Sequence, residues 1–294
     1  MNQPELIKVI TGMRRSGKSY FLKQIIDLIK EENKKANILF IDKESLDFSE
    51  IKDYITLNDY VKKNLKAKFK TYLFIDEVQE IEEWEKAVRS LYNTKEIDIY
   101  ITGSNSDTLS SELSTYLTGR YIEIPIYTLN FTEFLKFRSD KVKDLDSEFA
   151  NYLRYGGLPV IHQLEFSEEV TYGIIKSVFD TVLLKDVIKK YEIRNVSLLE
   201  NICLFAFDNI GSNLSAANIS KFLKSQNVSV GNDTIQNYLN YICNAYLLHK
   251  VKNYDIQGKK IFAINDKYFA NDIGIKNAIQ GYREGDISGL LENI

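Results

Sequence analysis

The sequence predicts an α/β fold: a parallel sheet with helices on both faces, then a helical region, then three helices with a hairpin. Three observations carry this expectation. Short, wholly apolar runs recur through the first 130 residues, with helix-period patterns between most of them. A glycine loop joins the first run to the first helix. Beyond about residue 130 no further apolar run is coupled to a glycine loop. Strands buried on both faces need not alternate in polarity, so continuous apolar runs between helices point to a parallel sheet with two covered faces.

The elements follow in order. Residues 6–10 form the first strand, 12–18 the loop, and a helix runs on from Ser19 with Phe21, Leu22, Ile25, Ile26 and Ile29 on one face. Further strands are expected at 37–41, 72–75, 97–101 and 121–126, the last containing Pro125. Residues 131–137 read as a short helix, and 147–190 as helical with a break at Tyr155-Gly156-Gly157-Leu158-Pro159. A helix at 198–209 precedes Ser215, an N-cap for 216–224. Gly231-Asn232-Asp233 opens a third helix with Ile235, Tyr238, Leu239 and Ile242 on one face. Two strands, 247–251 and 260–264, flank a polar turn at 255–259. Three helices plus a hairpin is the winged-helix pattern.

Composition sets the limits. A chain of 294 residues suits two or three small domains, and 44% hydrophobic with 27% charged residues is the make-up of a folded protein. No apolar run approaches the roughly 20 residues of a membrane span. The amino terminus lacks the basic segment and apolar core of a signal peptide. Cys203 and Cys243 lie in apolar helical patterns and read as buried thiols of a reducing cytoplasm. Two histidines, His162 and His249, and no CxxC argue against a zinc site or a His-based hydrolase. A net charge of -3 excludes the whole chain as a polyanion binder, but not one face of it. The densest basic stretch, 62–70, reads as a solvated helix face.

The chemistry is concentrated in three strand ends. Gly12-Met13-Arg14-Arg15-Ser16-Gly17-Lys18-Ser19 matches G-x-x-x-x-G-K-[ST] in full, with a strand before it and a helix after it. Glycines let backbone N–H groups turn inward on a phosphate chain, and the following helix adds its amino-terminal dipole. Lys18 supplies a mobile charge for the β- and γ-phosphates, and the Ser19 hydroxyl a ligand for Mg²⁺. Tyr20 is counted with the loop as a nucleotide-binding position. Arg14 and Arg15 suit a phosphate, an acidic neighbour or solvent equally well. Tyr72-Leu73-Phe74-Ile75-Asp76-Glu77 is an apolar strand ending in two carboxylates. Parallel to the first strand, it would bring Asp76 to the metal and Glu77 to the attacking water. Ile101-Thr102-Gly103-Ser104-Asn105 turns polar at its end. If that strand lies between the other two, Asn105 or Ser104 approaches the γ-phosphate; a plain turn is the rival reading. Arg120, just before the fifth strand, suits either charge stabilisation, in its own or a neighbouring subunit, or a surface salt bridge.

Together these residues resemble the AAA-type ATPases of bacteria and archaea that carry the domain of unknown function DUF4143. The matching stretches are GMRRSGKS, YLFIDEVQEIEEWE, ITGSNS, LTGRYIEIPIYTLNFTEFL, YGGLP, TVLLKDVIKKYEIRN and LLEN. The resemblance implies a P-loop NTPase (AAA-like) core over 1–130, a helical lid over 131–194 and a winged-helix domain over 195–275. Residues 276–294 would begin a C-terminal region that looks truncated. In that family a nuclease-like domain usually follows LLEN, so no nuclease activity is expected of this chain. By the same resemblance Asp76 and Glu77 form the Walker B pair, Asn105 takes the sensor position, and the nucleotide is ATP or ADP with Mg²⁺.

The expected activity is Mg-dependent ATP hydrolysis that drives a conformational switch. The alternative is a nucleotide-gated DNA or protein scaffold with negligible turnover. A small-molecule P-loop kinase is a third reading, opposed by the Asp-Glu strand end and the winged-helix tail. Expected partners are ATP, a second copy of the chain or another protein, and no membrane. DNA is the weaker expectation. The third helix offers Asp233, Gln236, Asn237, Asn240 and Asn244 but no Lys or Arg, and only the wing is basic, through His249, Lys250, Lys252, Lys259 and Lys260.

Overall fold

A computed structural model of the chain describes residues 6–106, 117–142, 144–163, 165–252, 266–283, 285 and 287–293. It divides into two compact units, one of residues 1–12 with 17–126 and the other of 13–16 with 127–294.

The first unit is built on five strands, β1 (Ile7–Thr11), β2 (Asn37–Asp42), β3 (Thr71–Asp76), β4 (Ile97–Gly103) and β5 (Tyr121–Pro125). Their spatial order is β2-β3-β4-β1-β5, and every pairing is parallel. The five expected strands are therefore all present, and β4 does lie between β3 and β1. Pro125, which has no N–H to give, ends the edge strand β5, where that loss is tolerated. Successive residues of each strand feed opposite faces. Ile7, Val9, Leu73, Ile75, Ile99 and Ile101 pack with Leu57 and Val61 of α2 (Tyr54–Asn64) and with Trp84, Val88 and Leu91 of α3 (Trp84–Asn93). Ile10, Phe74 and Tyr100 pack instead with Leu22, Ile25 and Ile26 of α1 (Lys18–Glu32). Both faces are thus apolar, which is why the strands read as unbroken hydrophobic runs. Register sets the working edge: Asp42 stands opposite Asp76 and Gly103 opposite Thr11, so these strand ends align at the carboxyl edge of the sheet. Lys62 and Lys63 are exposed at the end of α2, and Lys66 and Lys68 are exposed in the loop after it, so the basic stretch is solvated but only its start is helical.

The second unit is mainly helical. It comprises α4 (Phe131–Phe137), α5 (Leu145–Tyr155), α6 (Glu168–Val182), α7 (Val196–Asp208), α8 (Ala216–Ser225), α9 (Asn232–Asn244), α10 (Ile273–Gln280) and α11 (Ile287–Asn293). A π-helical segment, Leu183–Lys189, continues α6. Strands β6 (Asn213–Leu214), β7 (Leu248–Val251) and β8 (Asp266–Ala270) form an antiparallel sheet in the order β6-β8-β7. One apolar cluster runs from Leu153 to Leu290. Ser215 caps α8 as its sequence demands, accepting from the Asn218 N–H. The expected strand 260–264 and turn 255–259 lie outside the described residues; β7 pairs with β8, which the sequence reading did not anticipate.

The helical break at YGGLP has a definite cause. Gly156 adopts φ 73°, and a Cβ on Gly157 would meet the Leu129 carbonyl oxygen at 2.0 Å, so neither position accepts a side chain. Asp272, the N-cap of α10, accepts from Gly157 N–H at 2.8 Å, Gly274 N–H at 2.8 Å and Ile275 N–H at 3.3 Å. Burial holds its carboxyl up at about 6 against those three donors. Near the other end of this unit, the Asn293 amide pairs with both the N–H and the carbonyl of Ala270. The LLEN segment therefore clasps β8. Among the described residues no helix is long and apolar enough to cross a membrane.

Candidate nucleotide site

The site begins where β1 gives way to α1. Gly12 takes φ 143°, Arg15 φ 66° and Gly17 φ 107°, left-handed settings that curl the loop tightly. Gly17 is the N-cap of α1, and the first helical bond runs from Phe21 N–H to the Gly17 carbonyl at 2.9 Å. The first-turn N–H groups of a helix have no intrahelical acceptor, and no acidic side chain occupies this first turn. The helix end therefore favours an anion. Lys18 is buried; its ammonium donates to the Gly12 carbonyl at 3.0 Å and lies 3.7 Å from Glu77 Oε1.

Asp76 and Glu77 are delivered to the same edge by β3. The Thr102 hydroxyl on β4 donates to Asp76 Oδ1 at 2.5 Å and accepts from the Glu77 N–H at 2.9 Å, so one side chain sets both acids. Ser19 also hydrogen-bonds Asp76, which ties the loop to the acidic strand end. Burial pushes the Asp76 carboxyl above the usual carboxylate range; the hydrogen bonds from Ser19 and Thr102 oppose it, Glu77 adds to it and Lys18 opposes it. A cation arriving between Ser19 and Asp76 would favour the ionised form. Glu77 sits at φ 56°, a left-handed setting that a non-glycine residue adopts at a cost. That setting starts the 3-10 turn Val78–Glu80, which brings Gln79 back to Glu77: its amide donates to Glu77 Oε2 and, at 3.4 Å, to Ser104 Oγ. Ser104 and Asn105 follow β4 directly and are buried.

The structure thus gathers Gly12, Gly17, Lys18, Ser19, Asp76, Glu77, Ser104 and Asn105 at one sheet edge. Met13 to Ser16 group with the second unit. There Met13 is fully buried in the large apolar cluster, with the Asn271 amide 3.6 Å from its sulfur. Arg14 Nε spans both carboxylate oxygens of Asp186 at 3.1 and 2.9 Å, an acidic neighbour of the kind that was one of its expected partners. Arg15 is exposed, and so is Tyr20, whose ring underlies Lys23. Arg120 is not brought to the loop of its own subunit. Its carbonyl accepts from Ile7 N–H at the amino edge of the sheet, and its guanidinium meets Asn93 and the Tyr92 ring. The five residues of β1, about 16 Å at strand spacing, lie between it and the loop. Its place just before β5 in sequence hides this, because the start and the end of a strand lie at opposite edges of the sheet. Thr102 and Gln79, which hydrogen-bond the two acids, do not stand out in the sequence; a threonine inside the apolar run of β4 is the visible signal for the first.

The residues fit a magnesium nucleotide. The Ser16 hydroxyl, in the loop itself, is buried without a hydrogen-bond partner. No group of three or more His, Cys, Asp or Glu among the described residues could cage a metal. One hydroxyl, Ser19, and one carboxylate, Asp76, with phosphate oxygens for the rest, is how Mg²⁺ is held at such sites.

Comparison with known proteins agrees with this geometry. Residues 4–135 match the AAA domain family, and residues 146–286 match a domain of unknown function, DUF8612. The second match corrects the DUF4143 expectation: the stretches that suggested it are short, whereas the DUF8612 match spans the helical unit. An uncharacterized protein of Haemophilus influenzae is 36% identical over 99% of this chain and 73% of its own length. An uncharacterized protein of Methanocaldococcus jannaschii is 35% identical over 88% of this chain, which spans 59% of the length of that relative. Among solved structures, the Walker-type ATPase of Pyrococcus abyssi superposes with a TM-score of 0.65 and 14% identity, over 95% of this chain and 91% of its own, which establishes a shared fold. The fold is thus that of an α/β P-loop NTPase, and the chain belongs to the family of the Haemophilus influenzae protein, with an AAA domain in its front half.

Proposed function

We propose that the protein binds ATP with Mg²⁺ and hydrolyses it as an AAA-type conformational switch. The observation that carries this reading is the convergence of Lys18, Ser19, Asp76 and Glu77 on one sheet edge. The curled loop and the start of α1 bind the phosphates, and Lys18 leaves Glu77 to meet the β- and γ-phosphates. Ser19 and Asp76 hold Mg²⁺, which when bound offsets charge on the phosphates. Glu77 accepts a proton from the attacking water, and Asn105 orients that water or senses the γ-phosphate. Residues 131–194 serve as a helical lid and 195–275 as a winged-helix module. The second assignment is supported by α7 to α9 beside the antiparallel β6-β8-β7 sheet.

That module suits a protein partner better than DNA. Its third helix, α9, has no Lys or Arg, the Lys250 ammonium is paired with Asp266 at 2.6 Å, and His249 is engaged by Asn271 at 2.8 Å. Arg120, at the amino edge, is left to a neighbouring subunit or to the surface.

Glu77→Gln is expected to lower ATP turnover by about 100-fold or more while leaving Mg-ATP affinity in place. Unchanged turnover in a purified, monodisperse sample refutes the hydrolytic assignment. Affinity with no turnover in the wild type turns the protein into the nucleotide-gated scaffold.

A further inference from the structure

We infer that Gln79 is a positioning residue for hydrolysis, one that fixes the Glu77 carboxylate and holds the attacking water against it. The inference rests on the ATPase reading above and adds a residue to it.

The geometry begins with Glu77. Its left-handed backbone turns the chain sharply after β3, so the side chain two residues on folds back beside its own. The Gln79 amide nitrogen meets Glu77 Oε2 on one side and Ser104 Oγ at 3.4 Å on the other. A carboxylate only accepts, so it must be the nitrogen, and not the oxygen, of the amide that faces Glu77. Both amide protons are then committed, and the whole side chain is oriented. What remains is Gln79 Oε1, buried and without a donor among the described residues. A buried acceptor left unpaired is unfavourable, and such atoms in native structures usually answer to a water or ligand.

Neither of the two groups that the Gln79 amide nitrogen meets answers to that oxygen. Glu77 is an acceptor, and the Ser104 hydroxyl already meets the amide nitrogen. A water can donate to Oε1 with one proton and present the other to Glu77. In that setting its oxygen lone pair is left for the γ-phosphorus. As the new P–O bond forms, one proton passes to the Glu77 carboxylate, the bond from phosphorus to the β,γ-bridging oxygen breaks, and its electron pair leaves with ADP. Without Gln79, Glu77 still has the Lys18 ammonium at 3.7 Å, which draws the carboxylate toward the loop and away from this role. Gln79 therefore acts through Glu77 and through the water.

The test uses the full chain with Gln79→Met, which keeps volume and removes both hydrogen-bonding ends, and Gln79→Glu, which sets a second carboxylate beside the first. Four readings are taken: steady-state ATP turnover, ADP affinity, affinity for ADP with aluminium fluoride, and the thermal midpoint. For Gln79→Met, kcat is expected to fall about 10- to 100-fold with KM within about threefold. ADP affinity and the midpoint should hold, while the tighter binding of ADP with aluminium fluoride is lost. For Gln79→Glu, kcat is expected to fall at least as far as for Gln79→Met, because a carboxylate cannot donate to Glu77; wild-type turnover there overturns the inference as well. Wild-type turnover at Gln79→Met overturns the inference alone. So does an equal loss of ADP and ADP–aluminium fluoride affinity, which marks a structural role. A wild-type protein that neither turns over ATP nor tightens on aluminium fluoride overturns the hydrolytic reading, and this inference falls with it.

Discussion

Among the described residues, two of the places that leave buried polar atoms without hydrogen-bond partners are built for different ends. At the carboxyl edge of the parallel sheet these atoms are Ser16 Oγ and Gln79 Oε1. In the helical unit they are both ring nitrogens of His162 and one guanidinium nitrogen of Arg138. Around the first pair the backbone is left-handed at Arg15, Gly17 and Glu77, and the nearest lysine–carboxylate approach is a loose 3.7 Å. Around the second the charges are already closed: Arg138 Nε donates to Glu148 at 2.7 Å, and Phe134, Phe137 and Phe166 ring the imidazole. An unpaired atom by itself does not mark a binding site. Left-handed backbone at a sheet edge is a second and independent sign, whereas an aromatic cage around a neutral imidazole stores a stability cost.

The sharpest way to break this comparison is Glu148→Gln. It strands the Arg138 guanidinium in the cage and is expected to cost about 3–5 kcal/mol in urea denaturation, with ADP affinity of the folded fraction unchanged. A selective loss of ADP affinity would make the cage part of the site. Next in size is acid. Burial, aided by Arg138 and Lys141, lowers the His162 pKa from 6.5 to about 4. The unfolded chain then takes up a proton that the folded chain refuses, so stability is whole above pH 6.5 and falls as pH drops toward 4, by up to about 3 kcal/mol. His162→Phe should flatten that part of a stability–pH curve; an unchanged slope would place the proton uptake elsewhere. The smallest effect is at the loop. Ser16→Ala removes a hydroxyl that has no partner, so the nucleotide-free protein should hold or gain up to about 1 kcal/mol, while ATP binds several-fold more weakly by calorimetry. A clear loss of nucleotide-free stability would show that the hydroxyl is already satisfied.

What the sequence disclosed follows from how local each feature is. The five strands were legible because burial on both faces makes them uniformly apolar. The loop and the Asp76-Glu77 pair were legible because their chemistry lies within a few consecutive residues. Gln79 was within the same motif, yet its role depends on the backbone setting of Glu77, which no spacing reveals. The Arg14–Asp186 pair joins residues 172 apart, and Asp272 reaches back 115 residues to Gly157, so neither could be paired from one sequence. The strand β8, DKYFA, alternates too weakly to stand out, and its clasp by Asn293 is visible only in three dimensions. Which end of the sheet Arg120 occupies was not legible, because nearness to a strand in sequence does not give it.

The grouping of Met13 to Ser16 with residues 127–294 has a consequence for how the chain matures. A polypeptide leaving the ribosome can complete all five strands of the parallel sheet once residue 125 has emerged. The middle of its first glycine loop must still wait for Asp186 and Asn271, which are translated much later. Nascent chains should therefore acquire a stable sheet well before that loop acquires its full set of contacts, an order that domain-wise folding during synthesis makes natural.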